Sequence, residues 1–426
     1  MRFMRILYNE QLLQIIKIII KFTLIGGVFL LSFAKWDFKN TLILKPSDVA
    51  FIIAILAAFS WLILGKNFKK LKNIEKPILL ALILIVFSVF LASLYGYLKY
   101  GLVFDFAGLV LFLKLFWLIG LFIIVYLLLK EEPAFLKSLY KAFCLSSIIY
   151  LPFLLLPALA QKLSLIGGGY RFTGLTQSPN SQAAISFVAF VFLLVIFLDA
   201  LFKNDFKRAL IFLILWVGVE ALTLWSQSRA YFIAIWVVIF LATFLIGKFY
   251  KKGLAEIIIF ILLIMVVALN TKILVPSQVR ELFSRRLVDT KNLIKSPENL
   301  QSDIRIQRLI YFRDLFLKDP YLLFLGAGVN YGNKFDLEMK GERFGTESGI
   351  FDLVIVGGIG TIVGLIILAI ITLKNLKNKF FSEDKEGVIH ILGSIVALVG
   401  IWVAGIFIGS PLFGFYFWIL LAMALV

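Results

Sequence analysis

Runs of about twenty apolar residues follow one another along this chain, broken by short polar connections. At 1.5 Å of rise per residue, such a run is what a helix needs to cross the ~30 Å hydrocarbon layer of a membrane. The pattern predicts about twelve spanning helices, near residues 13–34, 47–65, 77–97, 107–129, 138–160, 182–202, 208–225, 229–247, 254–275, 350–373, 387–408 and 411–426. The first run is too long for the apolar part of a cleaved signal and has no small-x-small cleavage site after it, so it is expected to remain as a helix. One connection, 276–349, is much the longest, and a connection of that length is usually functional. It carries its own helical rhythm. In DIRIQRLIYFRDLFLKDP the residues Ile304, Leu309, Ile310, Phe312, Leu315 and Phe316 are apolar at roughly helical spacing, and Pro320, Gly326 and Gly328 end the pattern. The expected organisation is 1–275 with nine spans, 276–349 as an extramembrane loop holding an amphipathic surface helix, and 350–426 with three more spans. No internal repeat is visible, which argues against a transporter built from two related halves.

Composition supports the membrane reading. The chain is 62% hydrophobic with a mean hydropathy of +1.00, more apolar surface than a water-soluble chain of this length could bury. Its net charge of +18 invites a nucleic-acid reading, but lysines gather in alternate connections, as they do on the cytoplasmic side of a membrane protein. One set holds Arg2 and Arg5, Lys66 to Lys76, Lys130 and Lys137, Lys203 to Arg208, Lys248 to Lys252, and Lys374 to Lys385. The short loops of the other set hold little more than Lys35, Lys39, Lys45, Lys99, Lys162, Arg171 and Arg229. Both termini are therefore expected in the cytoplasm, with 276–349 outside, and no nucleic-acid partner is expected. The single cysteine, Cys144, has no partner for an intramolecular disulfide and falls inside an apolar run, where packing explains it.

The outer side carries arginine where the inner side carries lysine: Arg171, Arg229, Arg280, Arg285, Arg286, Arg305, Arg308, Arg313 and Arg343. A guanidinium presents a flat fork of donors that suits phosphate oxygens, so arginines at the outer membrane edge fit a lipid diphosphate. Snorkelling to headgroups explains Arg280, Arg285 and Arg286 better. Arg229, in the very short turn SQSRA, and Arg171, in the turn-rich RFTGLTQSPN with Asn180, fit a binding role better. Glu347 in GTESGIFDLVIVGGIG enters the tenth span. It is either a helix cap or a general base that takes a proton from a sugar hydroxyl. Asp352 and Glu220 sit near the outer ends of their spans, must face the protein interior, and are expected to partner an arginine. His390, the only histidine, lies at the inner end of its span. No His/Cys cluster, Gly-rich phosphate loop or Ser-His-Asp set is visible on the outer side.

Four stretches in order, RFTGLTQSPNSQA, SQSRAYFIA, RIQRLIYFRDLFLKDPYLLFLGAG and GTESGIFDLVIVGGIG, resemble the O-antigen ligase and O-antigen polymerase superfamily of bacterial inner-membrane glycosyltransferases. The resemblance implies an all-α polytopic fold of the GT-C type, facing the periplasm, in lipopolysaccharide biosynthesis. It implies an undecaprenyl-diphosphate-linked oligosaccharide donor gripped by Arg229 with Arg305 or Arg308, and auxiliary contacts from Arg171. Asn180, Arg313, Glu220 and Asp352 complete the expected substrate-binding set, with no metal or other cofactor. The similar ligases carry a histidine about where Glu347 stands, which favours the polymerase, whose acceptor is another lipid-linked unit, over the ligase, whose acceptor is the lipid A–core sugar. A chain-length regulator is a candidate partner. A flippase for the same lipid-linked sugar is the rival from another class.

Overall fold

The computed structural model describes residues 2–33, 36–38, 42–44, 46–64, 71–72, 74–102, 106–167, 171–176, 178–277, 280–281, 304–329, 349–379, 385–408, 412 and 414–426. Among them the helices are α1 (Arg2–Phe29), α2 (Pro46–Leu64), α3 (Lys76–Tyr100), α4 (Phe106–Glu131), α5 (Phe135–Ile148), α6 (Pro152–Leu155), α7 (Pro157–Lys162), α8 (Pro179–Phe202), α9 (Phe206–Trp225), α10 (Arg229–Phe249), α11 (Leu254–Thr271), α12 (Ile304–Lys318), α13 (Tyr321–Leu325), α14 (Gly349–Lys379), α15 (Lys385–Ile408) and α16 (Phe415–Leu425). Two small antiparallel ribbons join them. β1 (Trp36–Phe38) pairs with β2 (Leu42–Leu44), and β3 (Ile166–Gly167) pairs with β4 (Arg171–Phe172).

Among the described residues eleven stretches are long and apolar enough to cross a membrane, so the chain is a multi-pass membrane protein. Two sequence expectations differ in detail. Among the described residues of the run at 411–426, the α-helix is the eleven-residue α16. The run at 138–160 does supply a stretch long enough to cross, Phe135–Leu155, but not as one helix: α5 stops at Ile148, and Pro152 and Pro157 each open a new short helix. A proline has no N–H to give to the turn before it, so it starts a helix more readily than it continues one. Large apolar side chains such as Phe22, Leu56, Leu98, Ile214 and Ile370 remain on the surface, as lipid-facing positions do.

Helix α8 is the central post. Its sequence carries no charge between Pro179 and Asp199 and is apolar all round, so every face can be covered by protein. It packs against α5, α9, α10 and α15. One end of the bundle, here called the lower end, is marked by ion pairs. Lys17 lies 2.9 Å from Glu131, Lys21 2.5 Å from Glu132, and Lys203 2.9 Å from Asp199. The opposite, upper end holds the C-termini of α3 and α9 and the N-termini of α8, α10 and α14. Helices α3 and α14 pack along one another. Gly360 and Gly364, four apart on one face of α14, turn bare backbone towards Ser88 and Ala81 of α3. Higher up, α14 leaves helical geometry at Gly357 and Gly358.

Candidate functional site

Two groups of residues occupy the upper end. The first is a corner built around Arg171. After α7 the chain reverses through β3 and β4, and Thr173 N donates to Leu165 O at 2.9 Å. Phe172 stacks on Trp225 at 5.0 Å between centroids and meets Tyr150 edge-on at 5.5 Å. These contacts bury Phe172 completely and so aim its neighbour Arg171 at the turn between α9 and α10. There Arg171 Nε donates to the Ser226 carbonyl at 2.8 Å, and Nη2 donates to Asn180 Oδ1 at 3.2 Å. Ser226 is the C-terminal cap of α9, whose last carbonyls have no partner within the helix. Arg171 thus supplies a charged donor there and ties the end of α9 to the start of α8. Arg229 opens α10 three residues beyond Ser226; its side chain lies outside the described residues.

The second group joins α12, α13, the segment after them, α3 and α14. Phe312 and Phe316 of α12 are buried and stack on Phe351 of α14 at 6.4 and 6.0 Å. Leu102, Leu322, Ala327, Val354 and Ile355 complete that apolar cluster. At the end of α12, Asp319 Oδ2 accepts hydrogen bonds from Tyr95 Oη at 2.7 Å and Tyr100 Oη at 2.5 Å, both on α3. Asp319 Oδ1 accepts from Tyr321 N at 3.2 Å. Burial acts to raise the Asp319 pKa, but the hydrogen bonds from Tyr100, Tyr95 and Tyr321 N outweigh it and hold the carboxyl below its ordinary range. Beyond α13, Gly326 turns at φ +78°, and Ala327 N and Gly328 N both donate to Ile355 O, at 2.6 and 3.0 Å. That carbonyl is free because α14 breaks two residues later, at Gly357 and Gly358. Backbone that leaves the helical ladder at membrane depth must find partners in protein. Here the inserted segment provides them.

The sequence candidates distribute as follows. Arg171 and Asn180 come together. Arg305 and Arg308 lie in the first turns of α12, the helix that rests on Phe351, while their side chains lie outside the described residues. Arg313 lies on the exposed side of α12, and its described partner is Asp314 at 2.8 Å. Asp352 follows Phe351 in the first turn of α14 and is half-buried. Glu220 is buried in α9, and its described partner is Thr271 of α11, whose hydroxyl donates at 3.1 Å. Glu347 lies outside the described residues, two positions before α14. His390 sits at the lower end, its ring edge-on to Tyr140 at 4.6 Å.

Tyr95, Tyr100, Asp319 and the break in α14 are not found by motif reading. Faint signals existed: three tyrosines within LYGYLKY, an Asp-Pro at the end of α12, and the doubled glycine of VIVGGIG. Chemically, the second group sets a helix bearing two arginine positions beside the start of the span that follows Glu347. Arginine at such helix positions can hold an anionic ligand at the membrane edge. No protein-family model matches the chain, and no curated protein is similar to it at a significant level.

Proposed function

We propose that the chain is a membrane glycosyltransferase that polymerises undecaprenyl-diphosphate-linked O-antigen repeat units at the periplasmic face of the bacterial inner membrane. The observation that carries the reading is the seating of α12, with its Arg305 and Arg308 positions, through Phe312 and Phe316 onto Phe351 of α14. In the proposed reaction a sugar hydroxyl of a new lipid-linked unit attacks the anomeric carbon of the growing glycan. The bond from that carbon to the diphosphate oxygen breaks, and its electron pair leaves with undecaprenyl diphosphate. Arg229 with Arg305 or Arg308 stabilises the charge that builds on the diphosphate. Glu347 takes the hydroxyl proton, a role for which partial burial would tune its pKa upward.

The test is reconstitution with a defined lipid-linked repeat unit. A ladder of products supports the polymerase. Transfer only after lipid A–core is added identifies a ligase instead, and movement of the lipid without new bonds identifies a flippase. Orientation is checked separately. Cysteines introduced into 276–349 should react with an impermeant thiol reagent in intact spheroplasts; labelling only after the membrane is broken overturns the assignment.

A further inference from the structure

We propose that Asp319 is a positioning residue: with Tyr95 and Tyr100 it clamps α12 to the upper end of α3 and so sets where the arginines of that helix stand. The link to those arginines rests on the functional reading above; the clamp does not.

A fifteen-residue helix is marginal on its own, so its place is set by what it is attached to. Two buried phenylalanines seat the C-terminal half of α12. The chain then meets two anchors only a few residues apart. At the first, Asp319 Oδ2 takes both tyrosine hydroxyls of α3. At the second, Ala327 N and Gly328 N occupy the Ile355 carbonyl released by the break in α14. Leu322, fully buried, lies between them. A segment held at both ends leaves α12 little freedom to pivot.

An ordinary explanation of Asp319 is that it caps α13. That accounts for Oδ1 and Tyr321 N, but α13 has only five residues and a cap has no need of two tyrosines on a helix more than two hundred positions earlier. Hydrogen bonds to a charged acceptor are the stronger kind. Lys99, on the same turn of α3, adds a nearby positive charge.

The experiment measures amide hydrogen exchange over 304–329 in lipid nanodiscs for four proteins: wild type, Asp319→Ala, Tyr95→Phe with Tyr100→Phe, and the triple variant. Each variant should exchange at least about tenfold faster across 304–318, and the triple variant no faster than Asp319→Ala, because all three changes remove one interaction. Unchanged exchange in Asp319→Ala, or fully additive effects, overturns the clamp. Should Asp319→Ala fail to fold, the tyrosine pair alone decides, since phenylalanine keeps the ring packing. A second arm uses undecaprenyl diphosphate as the probe. With thermal stability preserved, its affinity should weaken at least about tenfold in the Tyr→Phe pair, and unchanged affinity beside a loosened α12 overturns the positioning role. A wild-type protein that neither binds the probe nor turns over sinks the functional reading, while the exchange result still stands for or against the clamp.

Discussion

Gly96→Ala separates two opposing effects. Gly96 lies inside α3, buried, where helix propensity alone favours alanine by about 1 kcal/mol. A Cβ at Gly96 would collide with the carbonyl oxygen and carbon of Ala327, which are backbone and cannot rotate away. Making room means lifting 326–329 off Ile355 O. Two neutral hydrogen bonds are worth about 0.5–1.5 kcal/mol each, and Leu322 leaving its site adds about 1.5–3 kcal/mol. The loss exceeds the propensity gain, and a net destabilisation of roughly 1.5–5 kcal/mol is expected at this corner. Gly120→Ala is the control: it also lies inside a helix, α4, but nothing stands within 4 Å of its added Cβ. The assay is thermal unfolding in detergent together with amide exchange over 321–329. Gly96→Ala should melt lower and exchange faster there, whereas Gly120→Ala should match or exceed wild type. If Gly96→Ala melts at or above the wild-type temperature with 321–329 still protected, the insertion of that segment beside α3 is wrong.

Other outcomes follow from individual residues. Arg229→Lys should lose most polymerising turnover, because an ammonium cannot copy a two-pronged grip, while Arg286→Lys stays near wild type; full turnover by Arg229→Lys at normal expression removes its diphosphate role. Glu347→Gln should express normally, since a lost cap costs only about 1 kcal/mol, yet turn over at least about a hundredfold more slowly. Product formation per mole of purified protein, followed over several pH values, checks this, and a near-wild-type rate leaves Glu347 as a cap. The Asp319 pKa is depressed in the folded protein, so its contribution is complete above the ordinary aspartate range and fades as pH falls through the lower folded value. Exchange across 304–318 should therefore be flat from neutral pH down to about 5 once corrected for the intrinsic rate, and should rise only in more acidic buffer; a rise already near neutrality contradicts the clamp.

The membrane-crossing runs were legible because hydropathy over about twenty residues is a strong, local signal. The encasement of α8 was half legible, in its lack of charge before Asp199. Where a span is broken inside, the reason is also local. The run at 138–160 scores as one span because a hydropathy sum does not register what Pro152 and Pro157 do to the backbone. The upper end was less readable. Arg171 stood out as a charge in a turn, but besides Asn180 it bonds the carbonyl of Ser226, and a carbonyl has no sequence signature. Asp319 reads as an ordinary helix terminator until Tyr95 and Tyr100 are brought beside it by the pairing of α3 with α14. The described partner of Glu220 is a hydroxyl from α11, about fifty positions later, which nothing in the local sequence announces. Chemistry that depends on such distant pairs follows from the fold and cannot be read before it.

The pairing of α3 with α14 also sets a timetable. About 250 residues separate Tyr100 from Gly349. At roughly 5–20 residues per second of synthesis, α3 enters the membrane some 12–50 s before its main partner exists. Through that interval Ala81 and Ser88 lack the glycine face of α14 that later packs on them. The socket for 326–329 also waits, because one of its walls is the broken turn of α14. The upper end therefore stays open until α14 is made, and a ribosome that stalls before residue 349 leaves behind a bundle without α14, α15 and α16, in which the socket for 326–329 has never closed.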